Sequence, residues 1–200
     1  MATPFATAAA RVRDGADAHA QAHTEARALV AQMTLDEKLG CLDGDTPFWE
    51  GLIDGIQGGY YEHPYPAAAV PRLGVPGFAF SDGPRGVVVG HATAFPVSMA
   101  RGATFDPALE EAIGDAIGRE LRAVGATFYG GVCVNLLRHP GWGRAQETYG
   151  EDSFLLGRLG SAEKRREGEE GGLGQERREK VGREDSFSIF LHKHHLNKFF

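Results

Sequence analysis

The sequence predicts an α/β fold with a largely parallel sheet, since short apolar runs that end in turn signals alternate with an amphipathic helical pattern. Strands are predicted over 77–80 and 94–96, and the apolar stretches 126–129 and 132–135 are predicted to supply a buried strand. The helical pattern between them spans 107–124. Strands that alternate with helices in this way favour parallel pairing through right-handed crossovers.

Two helix starts are marked by capping residues. Thr34 precedes Leu35 and is followed three residues later by Glu37, which is the spacing of a capping box, so a helix is predicted to begin near Leu35. Asp106 and Pro107 combine an N-cap with proline at the first helical position. The buried stripe of this second helix is predicted to consist of apolar residues four apart: Leu109, Ile113, Ile117 and Leu121.

The bulk properties argue against several classes of function. The chain has 200 residues and a formal net charge of −6 at pH 7, which gives no basis for binding nucleic acid or an anionic membrane. Its N-terminus has no continuous apolar region ahead of a cleavage site, and no later run approaches the roughly 18 apolar residues of a membrane span. We therefore expect a cytoplasmic protein in which Cys41 and Cys133 are buried free thiols.

The composition changes abruptly after residue 162. From 163 to 185, 15 of 23 residues are charged, so this segment cannot offset a chain entropy of about 1–2 kcal/mol per residue, and we expect it to be disordered or at most a fraying helix. The predicted organisation is an extension at 1–26, a domain at 27–162 and a tail at 163–200, for which a frame shift or retained intron is the leading hypothesis. A metal site in the tail is the less favoured alternative, formed by His192, His194 and His195.

Three polar segments follow the predicted strands, which is where α/β barrels assemble their sites. They are SDGPRG at 81–86, NLLRHPGWGR at 135–144 and ETYGED at 147–152. Because carboxylates and arginine forks bind vicinal hydroxyls, the segments indicate a sugar site with Asp82 and Arg144 as candidates. Asp82 is also an ordinary turn-forming residue.

Several of these side chains have a second interpretation. Arg144 has Glu147 and Asp152 nearby, and an internal clamp of this kind can coexist with sugar contact. Trp142 either packs in the core or lines the pocket. The remaining polar candidates are interpreted as structural: Arg85, Arg138, Tyr149, Glu151 and Asp152.

The chain resembles glycoside hydrolase family 3 over roughly residues 27–162, with the segments MTLDEK, SDGPRG, TAFP and WGR to YGED in the family's order. In that family a β-glucosidase removes the non-reducing terminal sugar of a β-glucoside by a retaining mechanism, without a metal or organic cofactor. The resemblance implies that Asp82 binds hydroxyls of the sugar in the first subsite and that Arg144 fixes the same ring. It also implies a small-molecule β-glucoside or oligosaccharide as partner.

The catalytic residues that the resemblance leads one to expect are not recognisable in this sequence. Retaining hydrolysis needs a nucleophile and an acid/base, two carboxylates about 5–5.5 Å apart. The family's nucleophile lies in a later Ser-Asp-Trp-like segment that does not occur in this sequence. The chain is therefore expected to contain no catalytic residue and to form about three strands of a partial (β/α)8 barrel, since a whole barrel takes about 250 residues. We therefore expect this chain to be an inactive fragment of a β-glucosidase. The alternative is a non-catalytic sugar-binding or interaction protein derived from that family.

Overall fold

The computed structural model describes residues 2–167, and within this range the chain forms eight α-helices and three β-strands. The helices are α1 (Pro4–Asp14), α2 (Ala18–Gln32), α3 (Leu35–Gly40), α4 (Phe48–Ile56), α5 (Gly59–Glu62), α6 (Ser98–Gly102), α7 (Pro107–Ala123) and α8 (Ser153–Glu167). The strands are β1 (Tyr65–Ala67), β2 (Phe78–Ser81) and β3 (Phe128–Tyr129). The fold is therefore mixed α/β, with a small sheet and many helices.

The three strands form one sheet in the order β1, β2, β3. β2 confirms the strand predicted at 77–80, and it pairs in parallel with β3, with Phe80 opposite Phe128. β1 pairs with β2 antiparallel, with Tyr65 opposite Phe80, and the sequence did not indicate this strand. β2 is therefore the central strand, and Asp82 is the first residue beyond its carboxyl end.

The strand predicted at 94–96 is wrong, because the backbone there bonds to a turn and a helix instead of a sheet. The Phe95 amide donates to the Arg85 carbonyl at 2.8 Å, and the Thr93 amide donates to the Glu120 carboxylate at 3.0 and 3.1 Å. The predicted strand at 132–135 is also wrong, since the stretch after α7 joins the sheet only at β3.

Both predicted helix starts are confirmed. Thr34 and Glu37 form a reciprocal capping box at the start of α3, and Asp106 caps α7 by accepting from the amides of Ala108 and Leu109. Glu37 also receives two hydrogen bonds from Arg72.

The buried face of α7 differs from the prediction at one position. Ile113, Ile117 and Leu121 are buried, but Leu109 is 43% exposed while Glu110 is 1% exposed. The buried stripe therefore begins one residue later, with spacings of three, four and four residues, and it places a carboxyl group in the core.

Two apolar clusters form the core around α7 and α8. One joins α7 to the chain after the 81–86 turn, through Val87, Val89, Ile113, Ile117 and Leu121. The other lies under α8, through Tyr149, Leu156 and Leu159. In contrast, α3 and α4 leave large apolar side chains largely exposed, among them Leu35, Phe48, Trp49, Ile53 and Ile56.

The described helices cross both predicted domain boundaries. α2 runs through residue 26, and α1 pairs with it through an Arg11–Glu25 contact of 3.4 Å. α8 continues past residue 162 to Glu167, and Glu163 is fully buried. The remaining predictions for the tail, including disorder over 168–185 and the histidines near the end, lie outside the described residues.

The described residues also bear on the expectations for membrane spans, metal ligands and cysteines. None of its helices is long and apolar enough to cross a bilayer. Residues 2–167 do not bring three histidine, cysteine or carboxylate side chains together as metal ligands. Cys133 is buried as predicted, whereas Cys41 is half-buried.

Candidate functional site

Asp82 lies in a tight turn that only glycine can complete. The next residue, Gly83, has φ of 132°, and a Cβ added there would lie 1.8 Å from the carbonyl oxygen of Gly86. The Gly83 amide donates to Oδ1 of Asp82 at 2.8 Å. The turn therefore holds the half-buried carboxylate at the carboxyl end of β2, the position predicted from the sequence.

Contacts from three other elements hold the 81–86 turn. The Tyr129 hydroxyl of β3 donates to the Gly83 carbonyl, and Nη2 of Arg101 in α6 donates to the Pro84 carbonyl at 2.9 Å. Arg85 donates through Nε to the Phe95 carbonyl at 3.2 Å, which fits its predicted structural role. The Asp82 backbone is thus set by parts of the chain far away in sequence.

Arg144 stands just before a short 3₁₀ turn, Ala145–Glu147, and forms the internal clamp that the sequence left open. Its Nε donates to Oε2 of Glu147 at 2.8 Å, and its Nη2 lies 2.5 Å from the same oxygen. The side chain is nevertheless 64% exposed, which leaves guanidinium donors accessible to a ligand.

The charge of Asp82 has only a minor effect on Arg144. The pKa of Arg144 is raised, mainly by its hydrogen bond to Glu147, and the charge of Asp82 makes a smaller contribution in the same direction. A carboxylate acceptor and a guanidinium donor are each suited to bind the hydroxyl groups of a polyhydroxylated ligand.

The other sequence candidates serve mainly to brace the segment after Arg144. Oδ1 of Asp152 accepts from the Leu155 amide at 2.6 Å at the start of α8, as an N-cap does. Tyr149 is buried, Trp142 is half-buried and Arg138 is exposed. The structural interpretation is confirmed for Tyr149 and Asp152.

A buried ionic cluster lies behind the site. Nη1 of Arg101 lies 3.1 Å from Oε1 of Glu110, and its Nη2 lies 3.7 Å from Oε1 of Glu163. The Tyr149 hydroxyl contacts both carboxyl groups, at 2.6 Å for Glu110 and more closely for Glu163, and its ring packs against the guanidinium. Because Arg101 also bonds to Pro84, this cluster links the turn of Asp82 to the segment of Arg144.

Sequence reasoning missed the residues that hold the site in place. Glu110 could have been found, since it extends the stripe of Ile113 and Ile117 by the ordinary helical spacing of three. Tyr60 could not, because its hydroxyl reaches Oδ2 of Asp82 at 2.9 Å from 22 residues away and no motif surrounds it.

Comparison with known proteins identifies the family. The model of the glycosyl hydrolase family 3 N-terminal domain matches residues 65–164, half of the chain. Probable beta-glucosidase F of Emericella nidulans is 37% identical over 146 residues, which are 72% of this chain and 15% of that protein. Probable exo-1,4-beta-xylosidase bxlB of Aspergillus terreus is 32% identical over 151 residues, covering 68% and 17%.

A solved structure agrees with these relatives. Beta-glucosidase 3B from Thermotoga neapolitana, in complex with α-D-glucose, superposes with a TM-score of 0.56 and 29% identity, over 68% of this chain and 20% of that one. The chain thus spans about 15–20% of the length of the relatives that it matches. From the family match and these likenesses together, the chain belongs to glycosyl hydrolase family 3.

Proposed function

We propose that the chain supplies part of the first sugar subsite of a retaining β-glucosidase, with Asp82 and Arg144 as the sugar-binding residues, and that it does not hydrolyse glycosides by itself. The observation that carries this proposal is the position of Asp82. In a family 3 chain, a half-buried carboxylate at the end of a central strand is held by a donor on each of its oxygens. The glucose complex of the Thermotoga neapolitana relative supports a sugar as ligand.

The architecture supports a barrel in which this chain forms the first part. The parallel pair β2 and β3 is joined by α7, which is the connection that a (β/α)8 barrel repeats. The exposed apolar side chains of α4 are the kind of surface that a further packing layer covers. We infer that about three strands of the barrel are represented and that the segment 27–162 belongs to it.

Inactivity of the chain follows from the chemistry that Asp82 and Arg144 can perform. Both bind and orient a ring, but cleavage needs a nucleophile and a proton donor about 5–5.5 Å apart on opposite sides of the reaction path. Asp82 is engaged with two donors, and Glu147 is paired with Arg144, so neither carboxylate is placed as an unencumbered nucleophile. Binding without hydrolysis is therefore the expected behaviour, in the cytoplasm and without a cofactor.

The test compares the 200-residue chain with a chimera in which residues 168–200 are replaced by the matching remainder of a related full-length enzyme. Both are assayed with p-nitrophenyl β-D-glucoside and the matching xyloside. We expect turnover only from the chimera. Asp82→Ala should lower kcat/KM of the chimera by about 10²-fold or more, since hydrogen bonds to a charged group contribute about 1.5–3 kcal/mol each.

Asp14→Ala is the matched control, because it removes an exposed carboxylate at the end of α1. Asp82-dependent turnover by the unmodified chain would show that inactivity is wrong. Full activity of the Asp82→Ala chimera would show that the subsite assignment is wrong. If the chimera prefers the xyloside, the proposed substrate changes from a β-glucoside to a β-xyloside, in agreement with the name of the Aspergillus terreus relative.

A further inference from the structure

The carboxylate of Asp82 is held at both oxygens by donors from different parts of the chain. Oδ1 accepts from the amide of Gly83 at 2.8 Å, which belongs to the same turn. Oδ2 accepts from the phenol of Tyr60 at 2.9 Å, which comes from α5. One backbone donor could leave the carboxylate free to rotate, whereas a donor on each oxygen defines its plane.

Tyr60 is itself well fixed. α5 begins after Gly58, whose φ is 100°, and Gly59 packs so closely on Asp54 that a Cβ there would lie 2.2 Å from Oδ2. The carbonyl of Tyr61 accepts from the Gly90 amide at 2.7 Å, which ties α5 to the chain just after the 81–86 turn. The backbone next to Tyr60 is therefore anchored to the chain just after the turn that carries Asp82.

Aromatic neighbours fix the ring of Tyr60. It packs edge-on against Tyr61 at a centroid distance of 5.1 Å and at a tilt against Tyr65 at 6.0 Å. Burial, and then the contact with Asp82, raise the pKa of Tyr60 above its ordinary value. The hydroxyl is consequently a donor throughout the neutral range of pH.

We propose that Tyr60 is a positioning residue for sugar binding, whose hydroxyl holds the Asp82 side chain in one χ1 rotamer, and with it the carboxylate, so that both oxygens face two adjacent hydroxyls of a pyranose. An ionised carboxylate has about four acceptor sites, and the amide of Gly83 and the phenol of Tyr60 occupy one on each oxygen. One acceptor site remains on each oxygen, which matches the two hydroxyls of a vicinal diol in number. The proposal rests on the assignment of Asp82 as a sugar-binding residue.

The experiment uses the 200-residue chain and its variants Tyr60→Phe, Tyr61→Phe and Asp82→Ala. Titration with D-glucose followed by NMR gives the dissociation constant, and the Hα–Hβ couplings of Asp82 give the rotamer distribution about χ1 in the absence of sugar. Tyr60→Phe keeps the ring and removes only the hydroxyl. Tyr61→Phe makes the same change on the adjacent, largely exposed tyrosine and is the matched control.

Tyr60→Phe should weaken glucose binding about 2- to 13-fold, the range for one net hydrogen bond, and Asp82→Ala by at least about 10-fold. Tyr61→Phe should leave the constant within about 2-fold. Asp82 should occupy one rotamer in the unmodified chain and in Tyr61→Phe, but several in Tyr60→Phe. A role of Tyr60 in stability alone would not produce this redistribution in a variant that remains folded.

The two measurements separate the inference from the assignment beneath it. If Asp82→Ala binds glucose as well as the unmodified chain does, the sugar-binding assignment fails and Tyr60 has no sugar to position. If Asp82→Ala loses binding while Tyr60→Phe keeps both the dissociation constant and the single Asp82 rotamer, the positioning role is overturned. When glucose binding is too weak to measure, an unchanged Asp82 rotamer distribution in Tyr60→Phe is enough to overturn the positioning role of Tyr60.

Discussion

Two of the arginine–glutamate sites among the described residues differ in burial, and the pKa values of their carboxyl groups shift in opposite directions. Arg72 donates to both oxygens of Glu37 at 2.8 and 2.7 Å on the surface, and this contact, followed by the Thr34 amide, lowers the pKa of Glu37 to about 2. Arg101 lies 3.1 Å from Glu110 with only 2% of its side chain exposed, yet burial raises the pKa of Glu110. For Glu110, burial therefore outweighs the nearby arginine in its effect on the pKa.

The charges of the buried cluster cancel only when one of its two carboxyl groups is protonated. Glu110 and Glu163 share one guanidinium, that of Arg101, and burial raises the pKa of both carboxyl groups. The Tyr149 hydroxyl is in hydrogen-bond contact with both, but a phenol has one proton to donate. The second contact requires a protonated carboxyl that donates to the phenol oxygen, which brings the net charge of the cluster to zero.

Removing the buried arginine should give the largest effect. Arg101→Met is expected to lower the free energy of unfolding by about 3–5 kcal/mol, because it leaves Glu110 and Glu163 without a counter-charge and Pro84 without a donor. Urea unfolding followed by circular dichroism measures the loss. The matched control is Arg72→Met at the exposed pair, for which a much smaller loss is expected. Equal losses in the two variants would contradict the comparison.

A smaller effect is expected from loosening the packing that buries the cluster. A Cβ added to Gly114 in α7 would lie 2.2 Å from the Glu163 carbonyl, so Gly114→Ala must separate α7 from α8. We expect a net loss of about 2 kcal/mol, from an overpacking cost near 3 kcal/mol less about 1 kcal/mol of helix propensity.

The same substitution elsewhere in this helix pair is the control. Gly157 in α8 has nothing within 4 Å of an added Cβ, so Gly157→Ala should stabilise the chain by about 0.5–1 kcal/mol. Thermal unfolding of the two variants should therefore shift in opposite directions. A shift in the same direction would mean that α7 and α8 are not packed as closely as the structure has them.

The elements that sequence analysis predicted correctly are those determined by residues close together in the chain. The capping box at Thr34, the N-cap at Asp106 and the apolar run that became β2 all depend on neighbours within a few positions. The position of Asp82 followed from the end of that run. The assignments of Asp82 and Arg144 as sugar-binding residues remain predictions.

The failures have a common physical cause in contacts between distant parts of the chain. Phe95 was predicted in a strand, but its amide bonds to the Arg85 carbonyl, and nothing in the local sequence indicates that partner. Tyr60 reaches Asp82 only because α5 is tied to Gly90. The buried Glu110 was missed for a different reason. Its spacing from Ile113 fits the buried face, but a charged residue is expected on the solvent side unless a buried partner such as Arg101 is known.

The smallest expected effect concerns the sign of the pH dependence. The pKa of Glu37 is about 2 in the folded chain and 4.5 ordinarily, so the folded state binds a proton less readily than the unfolded state. The contribution of Glu37 is therefore present above about pH 4.5 and is lost as the pH falls toward 2. For Glu163 the folded pKa is raised, so its contribution to stability is present below its ordinary pKa of 4.5 and is lost as the pH rises through the folded pKa.

The difference in unfolding free energy between the unmodified chain and Glu37→Gln should grow from about pH 3 to pH 6, whereas the difference for Glu163→Gln should shrink as the pH rises beyond about 4.5. Urea unfolding at a series of pH values measures both, and slopes of the same sign would show that burial does not separate the two sites.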